Sequence, residues 1–211
     1  SNLSGTFAQF KVPSVIFMSI TWSLNLICLL LIRIWASSLW TSNQERLNRA
    51  PMNGFASVLT YSASLLGAVT PPYAMKRMSA QRFVTLQTWL FVLAGVLALL
   101  QCCRLNHMPV YYVTSALLDY ITWTCGAFLA NELAKKVSKT YVKPFFNLLY
   151  IFVYSIRMVI VWYITGFGYC PPVDINNRFL LIALLMFSSA IVNVAIRIDS
   201  PLPCERDPIL N

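Results

Sequence analysis

Two ionisable residues, Asp119 and Arg157, interrupt long apolar stretches of the 211-residue sequence. A charge in the hydrocarbon interior of a bilayer costs about 2.5–3.5 kcal/mol, so each residue needs a partner or a function. Asp119 lies 13 residues before Glu132, and Arg157 lies 13 residues after Pro144. At about 1.5 Å per helical residue, both reach a similar depth if their segments form an antiparallel hairpin. The sequence therefore predicts an intramembrane ion pair between Asp119 and Arg157, with a role in structure or in transport.

Other residues able to carry chemistry are sparse. His107 is the single histidine, which excludes bis-histidine haem ligation and three-histidine zinc sites within the chain. The six cysteines show no metal-ligand spacing. The sequence also lacks a P-loop, a G-x-G-x-x-G motif and a plausible Ser-His-Asp set. We therefore assign no catalytic residue, metal ligand or cofactor, and the sequence favours a non-enzymatic protein without deciding the question.

Three cysteines fall on one predicted membrane face: Cys102, Cys103 and Cys170. If that face is oxidising, Cys170 is able to form a disulfide with Cys102 or with Cys103. The sequence leaves both pairings open.

The composition predicts that the elements carrying these residues lie in a membrane. The chain is 58% hydrophobic and 11% charged, whereas soluble domains carry about 25% charged residues. These values exclude an ordinary soluble domain, a disordered chain and a small disulfide scaffold. Spanning the hydrocarbon core takes roughly 20 apolar residues, and helices satisfy the backbone there. Six segments reach or approach that length: 12–34, 54–75, 83–103, 108–131, 144–169 and 179–196.

We expect an all-α, polytopic helix bundle forming a single transmembrane domain over residues 1–211. The most direct count gives six spans with both termini on the same face. The count falls to five if the second segment does not cross, because serines and a proline pair lower its hydrophobicity.

The basic residues predict an orientation for such a bundle. With six spans, ten Lys and Arg residues flank the face that holds both termini, and five flank the other face. The positive-inside rule then places the termini on the cytosolic or matrix side, in an endomembrane or the mitochondrial inner membrane. The net charge of +9 is spread over these flanks, so we predict contact with lipid headgroups and no nucleic-acid binding.

Short matches between the two halves of the chain hint at a duplication. Two proline pairs, Pro71-Pro72 and Pro171-Pro172, are predicted to break helices. The first proline of each pair recurs at an offset of 100 residues, and an Ile-Thr-Trp triplet beginning at Ile20 recurs at 101. Two halves of three helices each are necessarily inverted relative to one another, as in many transporters and channels. Ordinary helix ends account for the same matches.

Three functions follow from these features. The first is a non-catalytic structural or accessory subunit of a larger membrane complex, with protein partners in the membrane. The second is a small transporter or channel that uses Asp119 and Arg157, for which inverted halves are one available architecture. The third, a membrane-embedded lipid or sterol enzyme, is disfavoured by the shortage of catalytic side chains. A polar cavity reaching Asp119 or Arg157 would favour transport over the other two.

Overall fold

A computed structural model describes residues 3–50, 52–103, 106–165 and 173–196 of the chain. Within these ranges the regular structure is entirely helical, which confirms the predicted all-α class. A short 3-10 turn, Gln9–Lys11, follows the first helix. The α-helices are α1 (Leu3–Ala8), α2 (Pro13–Leu47), α3 (Asn53–Ala74), α4 (Ala80–Cys102), α5 (Met108–Lys136), α6 (Val142–Ile164) and α7 (Ile175–Val194).

Helix α2 is much longer than the first apolar segment of the sequence. The prediction ended that segment at residue 34, but the helix has 35 residues and ends only at Leu47. No glycine or proline lies between Pro13 and Pro51 to stop it. It ends where Asn48 adopts a left-handed conformation with φ 49°, which asparagine tolerates better than most residues. Arg33 therefore lies inside the helix rather than in a connector.

The helices are those expected of an integral multi-pass membrane protein. Five of them, α2, α4, α5, α6 and α7, are long and apolar enough to cross a bilayer. Helix α3 has 22 residues, a length of about 33 Å, but its most apolar stretch is less apolar than those of the other five. Its length matches the hydrocarbon core, so a six-span arrangement stays the expectation.

Side-chain contacts fix the direction of each helix. We call the end of the bundle where α2, α4 and α6 begin the proximal end, and the opposite end distal. At the distal end, Gln44 of α2 donates hydrogen bonds to Asn53 at the start of α3 and to Tyr112 near the start of α5. Also at this end, Asn176 of α7 donates to the carbonyl of Gln101 in α4. Helices α3, α5 and α7 thus begin together.

At the proximal end, an aromatic stack and a hydrogen bond join α4 to α5 and to α7. The rings of Phe83 in α4 and Phe128 in α5 stack with centroids 4.3 Å apart. Near the end of α7, Asn193 donates to the carbonyl of Val84. The start of α2 and the end of α7 therefore lie at the same end of the bundle, as six alternating passes require.

The helices pack in a consistent set of pairs. Helix α3 lies along α5, α4 lies along α7, and α2 packs on both α5 and α7. Helix α4 also packs on α5, whereas α6 packs chiefly on α2. The antiparallel hairpin of the fourth and fifth segments, which was the condition for the predicted ion pair, does not form, because α5 and α6 are not among the packed pairs of described helices. Adjacency in sequence does not make these two helices neighbours.

Candidate functional site

Three helices bring polar side chains together near their middles. Arg33 lies in the middle third of α2 (Pro13–Leu47), and Asp119 lies in the middle third of α5 (Met108–Lys136). Ser64 lies at the centre of α3 (Asn53–Ala74). All three are therefore more than about 14 Å along their helices from either end. The antiparallel packing of α2 on α5, with α3 beside α5, sets them at one depth.

These side chains form a compact cluster. Arg33 Nη2 lies 3.0 Å from Asp119 Oδ2 and also donates to the Ser64 hydroxyl. Ser64 Oγ lies 3.1 Å from the same carboxylate oxygen and 2.8 Å from the carbonyl of Thr60. Because a serine hydroxyl has a single proton, it donates to one of these two acceptors at a time. The cluster joins α2, α3 and α5.

The two charges differ in their exposure. The side chain of Asp119 is 1% exposed and that of Arg33 is 28% exposed. The guanidinium carbon of Arg33 also lies 4.6 Å from the ring centre of Tyr61, which is within cation–π range. The second oxygen of the carboxylate, Asp119 Oδ1, is buried without a hydrogen-bond partner among the described residues. An acceptor in that state favours a donor supplied by water or by a solute.

A polar cavity of about 190 Å³ leads to this cluster. It lies between α2 and α3, and Ser57, Thr60 and Tyr61 line it from α3. Ser57 lies four residues, or about 6 Å, from the distal start of α3, whereas Arg33 and Asp119 lie deeper. The cavity therefore extends from near the distal surface to the buried ion pair.

Further polar contacts line the face of α5 that meets its neighbours. Asn25 of α2 donates to the carbonyl of Thr122, and Gln87 of α4 donates to the carbonyl of Cys125. Toward the distal end, Trp40 donates to Ser115. Hydrogen bonds of this kind hold transmembrane helices together where apolar side chains gain little from leaving lipid. They join α5 to both α2 and α4.

Arg157 lies elsewhere in the structure. It is on α6, two turns before the distal end of that helix, and Asp119 is paired with Arg33 instead. The predicted Asp119–Arg157 pair is therefore corrected to Arg33–Asp119, because α6 packs on α2 and not on α5. The guanidinium of Arg157 lies 5.7 Å from the ring centre of Tyr154, one turn back in the same helix. Its Nε is buried without a hydrogen-bond partner among the described residues.

The first proline pair lies inside a helix. Helix α3 continues through Pro71 and Pro72 and ends at Ala74, two residues later than the predicted break. Proline lacks the amide proton but keeps its carbonyl, and the amide of Met75 donates to Pro71 O. The pair thus lies in the last turn, where few backbone bonds depend on it.

The second proline pair, Pro171 and Pro172, lies outside the described residues. Cys170 lies outside them as well, so its predicted disulfide with Cys102 or Cys103 stays a prediction. Cys102 and Cys103 both have free thiols.

Sequence reasoning found Asp119 and missed its two partners. Arg33 lies one residue before the predicted end of the first segment, so it was counted among the basic residues that flank the membrane. The uninterrupted run without glycine or proline up to residue 50 was the available signal. Ser64 was considered only as one of the serines that lower the hydrophobicity of the second segment.

No group of three His, Cys, Asp or Glu side chains that could hold a metal ion occurs in the part of the chain that the structure describes. A single carboxylate paired with a guanidinium is suited to binding a small polar group by hydrogen bonds. Comparison of the chain with known protein families, with curated proteins and with solved structures finds no match.

Proposed function

We propose that this protein is a small membrane transporter that moves a small polar solute past Arg33 and Asp119. The observation that carries the proposal is the polar cavity that runs from near the distal surface to this ion pair. Ionisable residues inside a membrane bundle often mark a solute or ion pathway when they face a cavity. A pair needed only to hold two helices together has no need of such a cavity.

The size and chemistry of the cavity limit the solute. Its volume of about 190 Å³ is below the roughly 300–1,000 Å³ of drug-sized sites. A lipid or sterol substrate does not fit, which argues against the enzyme hypothesis. The guanidinium of Arg33 and the hydroxyl of Ser57 offer donors, and the hydroxyl oxygens of Ser57 and Tyr61 offer acceptors. We expect a solute of a few heavy atoms that carries both donor and acceptor groups.

The packing of the helices supports two inverted halves. If α2–α4 form one half and α5–α7 the other, the exchange of halves replaces α2 by α5, α3 by α6, and α4 by α7. This exchange converts the packed pair α3–α5 into the packed pair α6–α2. It likewise converts the pair α2–α7 into the pair α5–α4. The pairs α2–α5 and α4–α7 are each converted into themselves. A pseudo-two-fold axis in the membrane plane produces this relation, and transporters with inverted repeats place their sites near the midplane between the halves.

A second cavity approaches from the opposite end. It has a volume of about 370 Å³ and lies beside the proximal end of α3, lined among others by Ala68, Pro71 and Lys135. Between the two cavities Gly67 packs against α5 so closely that an added Cβ would lie 2.5 Å from the carbonyl oxygen of Tyr120. This contact is the place where we expect the pathway to be closed in the observed state.

Access from both faces tests the proposal without knowledge of the solute. In a variant with all six native cysteines replaced, Thr60→Cys puts a thiol in the distal cavity. A membrane-impermeant methanethiosulfonate reagent is added to vesicles of each orientation. Alternating access predicts modification from both faces, because the cavity opens to each in turn.

Ser62→Cys is the matched control. It lies two residues away at similar depth on the exposed, lipid-facing side of α3, where a charged reagent does not reach. Modification of Thr60→Cys from the distal face alone would overturn the transport proposal and leave a static, one-sided cavity.

A second candidate function, an accessory subunit of a membrane complex, is favoured by Arg157. This cation lies on the helix with the least buried surface, and it has no carboxylate partner among the described residues. Its guanidinium lies toward Tyr154, nearer the middle of α6, rather than toward the distal end. A carboxylate on a neighbouring membrane protein would satisfy it. Purification in mild detergent with mass measurement tests this, since a subunit retains a stoichiometric partner that Arg157→Met loses.

A further inference from the structure

An apolar groove of about 610 Å³ runs between α2 and α6, separate from the cavities described above. Phe7 and Phe10 border it at the proximal end, and its α2 wall extends from Ile16 to Ile27. Residues 148–156 of α6 form the opposite wall. Its lining is almost wholly apolar, so the groove suits a hydrocarbon chain rather than a polar solute.

The dimensions of the groove match one leaflet. From Ile16 to Ile27 the helix rises about 16 Å, roughly half of the 30 Å hydrocarbon core. The groove starts near the proximal end and reaches the middle of the bundle, since Ile27 lies about 21 Å along α2 from Pro13. A phospholipid of the proximal leaflet would place one acyl chain along it.

Two exposed lysines lie at the proximal ends of the elements that form the groove, Lys11 in the 3-10 turn and Lys143 in the first turn of α6. Lys11 directly follows Phe10, and Lys143 lies two residues before Phe145. The rings of Phe10 and Phe145 stack with their centroids 4.8 Å apart. Among the described acidic residues, only Glu132 lies in the proximal half, and its carboxylate is held by Lys135 at 2.6 Å. The proximal ends of these elements therefore carry positive charge that no described carboxylate neutralises.

We propose that this groove binds an anionic phospholipid, with an acyl chain between α2 and α6 and the headgroup phosphate against Lys11 and Lys143. Basic groups between transmembrane helices bind anionic headgroups at the membrane surface. The bound chain completes the packing of α6, which otherwise rests chiefly on α2. This proposal does not depend on the proposed transport function, and neither would be affected by the failure of the other.

Photolabelling tests the proposal. The full chain is reconstituted in phosphatidylcholine vesicles with a trace of phosphatidylglycerol that carries a diazirine in one acyl chain. A phosphatidylcholine probe with the same chain serves as the zwitterionic comparison. After illumination, labelled peptides of α2 and α6 are quantified by mass spectrometry. We expect the anionic probe to label the groove residues several times more strongly than the zwitterionic probe.

Three variants separate headgroup recognition from filling of the groove. Substitution of both Lys11 and Lys143 by Gln should lower the anionic preference about fivefold per lysine, as about 1 kcal/mol per basic residue implies. The matched control, substitution of Lys76 and Arg77 by Gln at the same end of the bundle, should retain it. Ile20→Trp, at a half-exposed position in the groove, should reduce labelling by both probes.

Equal labelling of the wild-type groove by the two probes would overturn the proposal, because it means that ordinary bilayer lipid fills the groove. An equal loss of preference in the Lys76 and Arg77 control would overturn it too. So would unchanged labelling in Ile20→Trp.

Discussion

Arg33 Nη2 lies 3.0 Å from Asp119 Oδ2, so an ion pair joins α2 to α5 near the middle of both helices. The pair is asymmetric, since the carboxylate is buried and the guanidinium is partly exposed to the cavity. Removal of one partner from a buried pair leaves an uncompensated charge, at a cost of about 3–5 kcal/mol. Each partner is thus needed to compensate the charge of the other, and the pair also forms the inner end of the distal cavity.

Ser64→Ala should destabilise the protein by about 1.5–3 kcal/mol, the range for a hydrogen bond to a charged group. The hydroxyl contacts both Arg33 and Asp119, so its loss weakens the contact of α3 with the pair. Unfolding in detergent followed by circular dichroism measures the change. Ser62→Ala, on the exposed face of the same helix, is the control and should change stability little. Equal effects of the two variants would show that Ser64 makes no special contribution.

Gly67→Ala should loosen the packing of α3 against α5. An added Cβ would lie 2.5 Å from Tyr120 O and 3.0 Å from the Cβ of Trp123, so the two helices must separate. We expect a loss of about 1–3 kcal/mol in unfolding free energy, as for other overpacked sites. Gly54→Ala, near the start of the same helix, is the matched control because nothing lies within 4 Å of its added Cβ. A Gly67→Ala protein as stable as Gly54→Ala would contradict the close contact.

Arg157→Met and Arg33→Met should behave differently in the isolated chain. Arg33→Met leaves Asp119 buried and unpaired, which costs about 3–5 kcal/mol. Arg157→Met removes a cation that lacks a carboxylate partner in the described part of the chain, so stability should hold or rise. Thermal unfolding of both variants in the same detergent checks this. A larger loss of stability for Arg157→Met than for Arg33→Met would support the Asp119–Arg157 pair that the sequence predicted.

The sequence was sufficient to predict the class of the fold and one member of the site. Long apolar segments predict membrane helices because the bilayer offers no hydrogen-bond partner to an exposed backbone. Asp119 was identified because it is an ionisable residue inside one of these apolar segments. Its partner was missed because Arg33 lies close to the predicted end of the first segment and was therefore counted as a residue that flanks the membrane. The helix itself continues for several more turns and ends only at Leu47, where the backbone turns at Asn48.

The pairing of helices could not be read from the sequence. Asp119 and Arg157 were predicted to lie at similar depths in the membrane, which is a condition for an ion pair. Similar depth does not determine which helices pack against one another. Hydrogen bonds such as that from Asn25 to the carbonyl of Thr122 join residues 97 positions apart. No local sequence pattern predicts such hydrogen bonds. With Arg33 assigned to a helix, the count of flanking basic residues becomes ten against four, and the predicted sidedness is unchanged.

Exchange of the two charges tests the central claim most directly. Arg33→Asp and Asp119→Arg should each lower the yield of folded protein sharply, because each puts two like charges in contact. The double variant, which restores one positive and one negative charge at the same positions, should recover most of the folded yield measured by size-exclusion chromatography. The parallel exchange of Asp119 with Arg157 should recover none. Recovery by the second exchange and not by the first would contradict the Arg33–Asp119 pair.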